Sequence, residues 1–425
     1  MLALAVMGGC GTCGDTGAQG GAGGPAAASV ASGSAAGTGG AESGVGTGGA
    51  GTGGTSTGAS TGGAGAGGAG AGDTGHGGGT GGASAGVGSG GASTGVGTGG
   101  ASTGVGTGGA STGAGTGGAG DGGGPVEPER PVALDIGGDV QGVHDPSIIR
   151  AGDRYYVFST GPGIAIRTST DLVRWDSAGS VFSDTPDWVA SAVGDVDALW
   201  APDISHWGGL YHLYYAASFF GTNRSCIGHA TRGSLDAPET RWLDHGAVVC
   251  SEGTDYNAID PSVVIDERGT PWLVFGSFWS GLKLMQLDLA GAPVDGTLTS
   301  IAARPSTAIE APFVVRRGDY YYLFASFDTC CVGARSTYKI MVGRSRALAG
   351  PYVDRLGNRM LSGGGSRVLT SSSRWRGPGS NGLLQAGESW YHIYHSYDAD
   401  ADGMFALRVA EMSWSADGWP ESGGP

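Results

Sequence analysis

Five times along the chain a short apolar run gives way to a polar turn carrying Gly and then to an aromatic and β-branched run. In one-letter code these stretches are HDPSIIRAGDRYYVFST from 144, WAPDISHWGGLYHLYYAAS from 200, IDPSVVIDERGTPWLVFGS from 259, EAPFVVRRGDYYYLFAS from 310 and SNGLLQAGESWYHIYHS from 380. Each reads as a β-hairpin. Taking Pro146, Pro202, Pro261, Pro312 and Gly382 as equivalent, the unit recurs every 51 to 70 residues. Further strand-like runs follow inside every unit: GIAIRTSTDLVRWD from 163, CIGHATRGSLDAP from 226, GLKLMQLDL from 281, KIMVGRSRALAGPY from 339 and ALRVAEMSWSADGW from 406. One hairpin would suit any sandwich, but five in phase at this period predict an all-β, five-bladed β-propeller with one four-stranded sheet per blade.

The propeller is expected to occupy residues 126–425. Upstream, residues 14–125 are almost all Gly, Ala, Ser and Thr, and they hold most of the 90 Gly of the 425-residue chain. GASTGVGTG stands at 91 and again at 100, and GASTGAGTG at 109. A calcium-binding β-roll would need Asp in each such turn, and none is there. The tract cannot bury a core and reads as a disordered tether, with a root-mean-square span of roughly 55–60 Å for ~110 Gly-rich residues.

Residues 1–13, MLALAVMGGCGTC, form a short apolar run in which Met7-Gly8-Gly9 precede Cys10. This resembles a bacterial lipoprotein cleavage site, so export is expected, with a lipid anchor through Cys10; a chance apolar start is the alternative, because no basic residue precedes the run. Export would permit disulfides. Cys226 and Cys250 fall in one blade and either bridge neighbouring strands or stay thiols, and the adjacent pair Cys330-Cys331 is open in the same way. No Cys pair joins His at zinc-site spacing.

A net charge of −15 argues against a nucleic-acid partner, which needs clustered Lys and Arg. Dinucleotide-binding, Walker and Ser-elbow motifs are missing as well. The chemistry is expected on the inner strands, because the first strand of each blade lines the central channel. Asp145 and Asp260 hold one repeat position, Glu310 stands one residue earlier in its own repeat, and Ala201 and Asn381 fill the position elsewhere. An Asp before Pro is a common turn starter. Three acids converging on one mouth instead suit glycoside hydrolysis, which needs one carboxyl to protonate the leaving oxygen and one to handle water. Trp200, Phe219, Phe220, Phe278 and Trp279 stand near the same mouth, as stacking surfaces for sugar rings or as core.

From about 142 to 420 the chain resembles the family 43 glycoside hydrolases, and among them the endo-1,5-α-L-arabinanases. The resemblance rests on HDPS at 144, LWAPD at 199, YNAIDPS at 256, FGSFWSG at 275, IEAP at 309, SFDTCCVGARSTYKIMVGRS at 326, GPGSNG at 377 and YHSYD at 394. It implies an inverting enzyme with Asp145 as general base, Glu310 as general acid and Asp260 orienting the acid and tuning its pKa. A charged Asp260 near Glu310 would help to keep that acid protonated. It further implies Asn257 and Ser277 as substrate contacts beside Trp200, Phe219 and Trp279, and His395 facing a metal, usually Ca2+, through water-rich coordination. The expected partner is arabinan, a pectin side chain, bound by a monomer. Exo-acting arabinofuranosidase, β-xylosidase and a non-catalytic carbohydrate-binding propeller are the alternatives. The tether lies outside the family domain, and the short C-terminus leaves closure of the ring open.

Overall fold

The computed structural model describes residues 130–425 except 306, so the segments 1–13 and 14–125, with Cys10, lie outside the described residues. Blade 1 contains β2 (Ser147–Ala151), β3 (Arg154–Ser159), β4 (Ala165–Ser169) and β5 (Arg174–Ser180), preceded by the two-residue strand β1 (Gly137–Gly138). After a short helix, α1 (Asp187–Ala192), blade 2 follows as β6 (Trp200–Trp207), β7 (Leu210–Ser218), β8 (Ser225–Arg232) and β9 (Leu243–Cys250). Blade 3 is β10 (Ser262–Ile265), β11 (Pro271–Phe275), β12 (Leu282–Gln286) and β13 (Thr299–Ala302). Blade 4 is β14 (Ile309–Arg317), β15 (Tyr320–Phe327), β16 (Lys339–Ser345) and β17 (Ser366–Leu369). Blade 5 is β18 (Trp375–Ala386), β19 (Ser389–Asp398), β20 (Met404–Trp414) and β21 (Pro420–Ser422). In every blade the strands pair antiparallel in chain order, as the repeat predicts.

The hydrophobic pattern follows from packing blade on blade. Middle strands are covered on both faces and read as continuous apolar runs, as in LYHLYYAAS of β7 and YYYLFASF of β15. Outer strands keep one face wet, and β9 alternates exposed and half-buried residues. Tyrosines on the second strands also reach into the neighbouring blade. Tyr214 donates to Gly291 O (2.6 Å) and Tyr322 to Gly418 O (2.5 Å), while Tyr156 bonds Asp236 and Tyr321 bonds Glu267. Both cysteine pairs are disulfides: Cys226–Cys250 joins paired residues of β8 and β9, and Cys330–Cys331 sits in the loop between β15 and β16. Closing a loop of 24 residues stabilises the fold by roughly 3 kcal/mol in the chain-entropy picture.

The ring is closed by a strap at its beginning rather than by its end. Leu134 N donates to Val409 O (2.9 Å) and Gly142 N to Phe405 O (2.9 Å), so the strap pairs with the outer edge of β20 in blade 5. Between those contacts β1 runs parallel to β5 of blade 1. The strap thereby ties the first blade to the last.

One repeated corner positions the chemistry. Immediately before each inner strand, or within its start, one non-glycine residue adopts positive φ: Asp145 (51°), Ala201 (39°), Asp260 (55°), Ala311 (49°) and Ser380 (48°). Such corners cost of order 1–3 kcal/mol each and gather at functional sites. They also correct the alignment of the fifth repeat. Ser380, not Asn381, is the counterpart of Asp145, and Asn381 rather than Gly382 replaces the proline; without that proline the repeat carried no landmark.

Candidate active site

The five corners meet on the propeller axis around a cavity of about 30 Å³, large enough for one water, lined by Asp145, Asp260, Asp203, Ser262 and Asn381 among others. Asp145 retains only a little exposure (17% of its side chain). Its Oδ2 accepts hydrogen bonds from Thr160 Oγ1 (2.7 Å) and His144 Nδ1 (2.8 Å). His144 Nε2 lies 2.8 Å from the Tyr397 hydroxyl, which accepts the Cys331 amide at 2.9 Å. With Asp145 ionised, His144 Nδ1 must carry a hydrogen, which it donates to Oδ2. Burial would raise the Asp145 carboxyl, but His144 by charge and hydrogen bond, then His395 and Thr160, outweigh it and hold the group well below the usual carboxylate range.

Glu310 is buried on β14. Its Oε2 lies 2.6 Å from Ser277 Oγ, and its Oε1 bonds the Tyr338 hydroxyl. Tyr338 can approach because Gly379 stands opposite: any Cβ there would collide with the ring. Burial pushes the Glu310 carboxyl up, the Ser277 and Tyr338 hydrogen bonds oppose this, and the Asp145 charge adds to it. Asp260 is pushed well above its ordinary value by burial first, then by the charges of Glu310 and Asp145. Burial, rather than a charged Asp260, is thus the main reason that Glu310 keeps its proton.

The residues expected around these acids fall into different places. Phe278 and Trp279 are open to solvent (45% and 46% exposed), and the Phe278 amide donates to Ile309 O (2.9 Å), directly before Glu310. Trp200 is half-buried at the start of β6. Phe219 is half-buried against the core shared by blades 1 and 2. Asn257 is buried with Oδ1 unpartnered, and Ser277 is a partner of Glu310.

His395, on β19, is fully buried and lies well below the ordinary histidine range through burial, then through His144. Its Nδ1 accepts the Asp145 amide at 3.1 Å, and its Nε2 has no protein partner. Ligand atoms of His144, Asp145 and His395 lie within 4.8 Å of one another. Both nitrogens of His144 are already engaged, however, so chelation by all three residues does not fit. An ion held mainly by water would leave His144 engaged and need only be faced by His395, whose Nε2 is buried without a protein partner.

Residues 140–420 match the profile of the glycosyl hydrolases family 43. The chain is 40% identical over 307 residues to the extracellular exo-alpha-(1->5)-L-arabinofuranosidase ArbA of Cellvibrio japonicus, covering 68% of this chain and 88% of that protein. It is likewise 40% identical over 292 residues to the extracellular endo-alpha-(1->5)-L-arabinanase 1 of Bacillus subtilis, covering 67% and 88%. The chain belongs to glycosyl hydrolase family 43. The Cellvibrio cellulosa alpha-L-arabinanase complexed with arabinohexaose matches with a TM-score of 0.64 at 39% identity, over 66% of this chain and 95% of that one. The family 43 propeller is therefore a glycosidase, and a purely binding role is excluded.

Sequence reasoning assigned no role to His144, whose part is described above, nor to four further residues of this family 43 site. Thr160 receives the Ala201 amide (2.8 Å), which directs its hydroxyl to Asp145. Asp203 ties blades 1 to 3 together by accepting from Val263 N (3.0 Å), Ser205 Oγ (3.1 Å) and Ser147 Oγ (3.3 Å), and burial raises it to about 6. Tyr338 and Tyr397 stood inside the quoted motifs, but only the folded geometry brings them to Glu310 and His144.

Proposed function

We propose that this family 43 glycosidase hydrolyses the α-1,5-arabinofuranosidic bonds of arabinan internally and with inversion, with Asp145 as general base, Glu310 as general acid and Asp260 as the residue that orients the acid. The observation that carries the reading is the contrast between two carboxyls at the mouth: Asp145 accepts from His144 and Thr160, which draw its proton affinity down, while Glu310 is buried between Ser277 and Tyr338, and burial draws its affinity up. Environments that push two proton affinities apart mark a base and an acid.

Asp145 Oδ2 is saturated by Thr160 and His144, which leaves Oδ1 to receive a proton from water. Glu310 protonates the glycosidic oxygen as its bond to the anomeric carbon breaks, while the water oxygen attacks from the opposite face and its proton passes to Asp145. Asp145 ends protonated and Glu310 ionised, and solvent restores both. The substrate rests on the relatives, whose names share the α-(1→5) arabinose linkage, and on the arabinohexaose complex. Their names divide on mode. Exposed Phe278 and Trp279 beside Glu310 favour internal cleavage, since they offer stacking surface to a chain that passes across the mouth. The exo reading stands second, because the Cellvibrio japonicus relative is as similar.

A Ca2+-type ion held by water and faced by His395 would supply positive charge and fixed water near the reacting sugar. His395 Nδ1 accepts the Asp145 amide, which puts the ring hydrogen on Nε2 and directs it to a water of the ion's shell. The extracellular relatives support export, and anchorage through Cys10 and a monomeric state complete the proposal. Proton NMR during hydrolysis of debranched arabinan tests the chemistry: the β-anomer must form first, and initial release of the α-anomer overturns inversion.

A further inference from the structure

The strap that closes the ring leaves β20 between two of its contacts. Leu134 N donates to Val409 O (2.9 Å) and Leu407 N to Val140 O (2.8 Å), so residues 135–139 arch over the space of a single residue of β20. The arch leans instead on blade 1, where Gly137 N donates to Val173 O (2.9 Å) and Asp139 N to Trp175 O (2.8 Å). Beneath it lies a cavity of about 360 Å³, within the size range of small-ligand sites.

Its walls carry unused polar groups. Arg374 grips Asp398 with two bonds (2.9 and 2.7 Å), and Arg408 stacks over Trp375 at 4.1 Å with its buried Nε unpartnered. Among the described residues, the Asp135 carboxylate and the Gln141 side chain make no hydrogen bond. The two arginines balance Asp398 and Asp135, so the lining favours no ionic ligand. Planar donors and acceptors around one indole suit a neutral molecule dense in hydroxyls.

The position suggests which molecule. Gln141 is four residues before Asp145, and Phe405, flanked by the cavity residues Met404 and Ala406, sets its ring edge-on against His144 at 5.1 Å. A chain leaving the catalytic mouth over Phe405 would meet the cavity.

We propose that this rim cavity is a second sugar-binding site that holds furanose units of the same polymer outside the catalytic mouth; the proposal rests on the arabinan reading above. The test compares wild type with the Asp135→Ala/Gln141→Ala double variant in the full chain, on long debranched arabinan and on arabinotriose. Both residues are exposed on the strap, and equal thermal midpoints will confirm that the variant is folded. The expected result is a KM for the polymer raised roughly 3–10-fold, as loss of one or two modest hydrogen bonds implies, with no matching change on the trisaccharide. An unchanged polymer KM, or equal losses on both substrates, overturns the rim site while leaving the catalytic reading intact. Failure of wild type to hydrolyse either substrate overturns both.

Discussion

The Asp260 carboxylate accepts the amide of Ala311 at 3.0 Å, across 51 positions of chain and from one blade to the next. Ala311 follows Glu310 directly, so the bond braces the peptide that carries the proposed acid. Asp260 and Ala311 also occupy equivalent positive-φ corners, at 55° and 49°. The strained corner of one blade therefore fixes that of its neighbour, which is the sense in which Asp260 is proposed to orient the acid.

Glu310→Gln and Asp145→Asn are each expected to lower kcat by at least ~10², the lower end for general acid–base groups. Their effects on stability should differ in sign. The folded-state pKa of Glu310 is raised, so unfolding releases its proton and stability falls as pH climbs from the unfolded value through the folded one. Gln removes that loss, and the thermal midpoint of Glu310→Gln should equal or exceed wild type above neutral pH. Asp145 is depressed in the fold and contributes stability above its unfolded pKa, lost as pH falls; Asp145→Asn should therefore cost stability at neutral pH. Calorimetry across pH reads both, and a midpoint difference between Glu310→Gln and wild type that does not grow in the variant's favour as pH rises would refute the buried-acid assignment.

Ser277→Ala and Tyr338→Phe each remove a hydrogen bond that lowers the Glu310 pKa. The alkaline limb of the kcat/KM profile should move to higher pH in both variants. A shift to lower pH would mean that these hydroxyls do not act on the ionised acid.

His144→Ala removes the largest influence holding Asp145 ionised. The acid limb should rise in pH, and Tyr397→Phe should move it the same way by a smaller amount, because that hydroxyl acts through His144. An acid limb unmoved in His144→Ala would separate His144 from the base.

Most of this fold was legible because each blade repeats the same physical demand: a covered second strand must be apolar and aromatic on both faces, as YYVF of β3 and YYYLF of β15 show. The three acids stood out because two share a repeat position and the third sits one step away. The closing strap was not legible, since residues 132–142 have no strand pattern and depend on the free edge of β20. Phe219 and Ser277 illustrate the limit within the site. Position near the mouth named the first and the family resemblance the second, but only the fold decides that one packs against a core and the other serves Glu310.

His395→Ala, and separately treatment with a chelator, should reduce kcat while far-ultraviolet circular dichroism stays unchanged, because the proposed ion acts beside Asp145 rather than in the blade cores. Full activity in both the demetallated protein and the variant would remove the ion from the account.

The most direct test is a time course on debranched arabinan that follows viscosity, reducing ends and the chain-length distribution together. The account predicts a rapid fall in viscosity while few reducing ends have formed, then accumulation of short arabino-oligosaccharides. Free arabinose from the outset with polymer length nearly constant would contradict internal cleavage and install the exo reading, and no new reducing ends at all would contradict the assignment of arabinan itself.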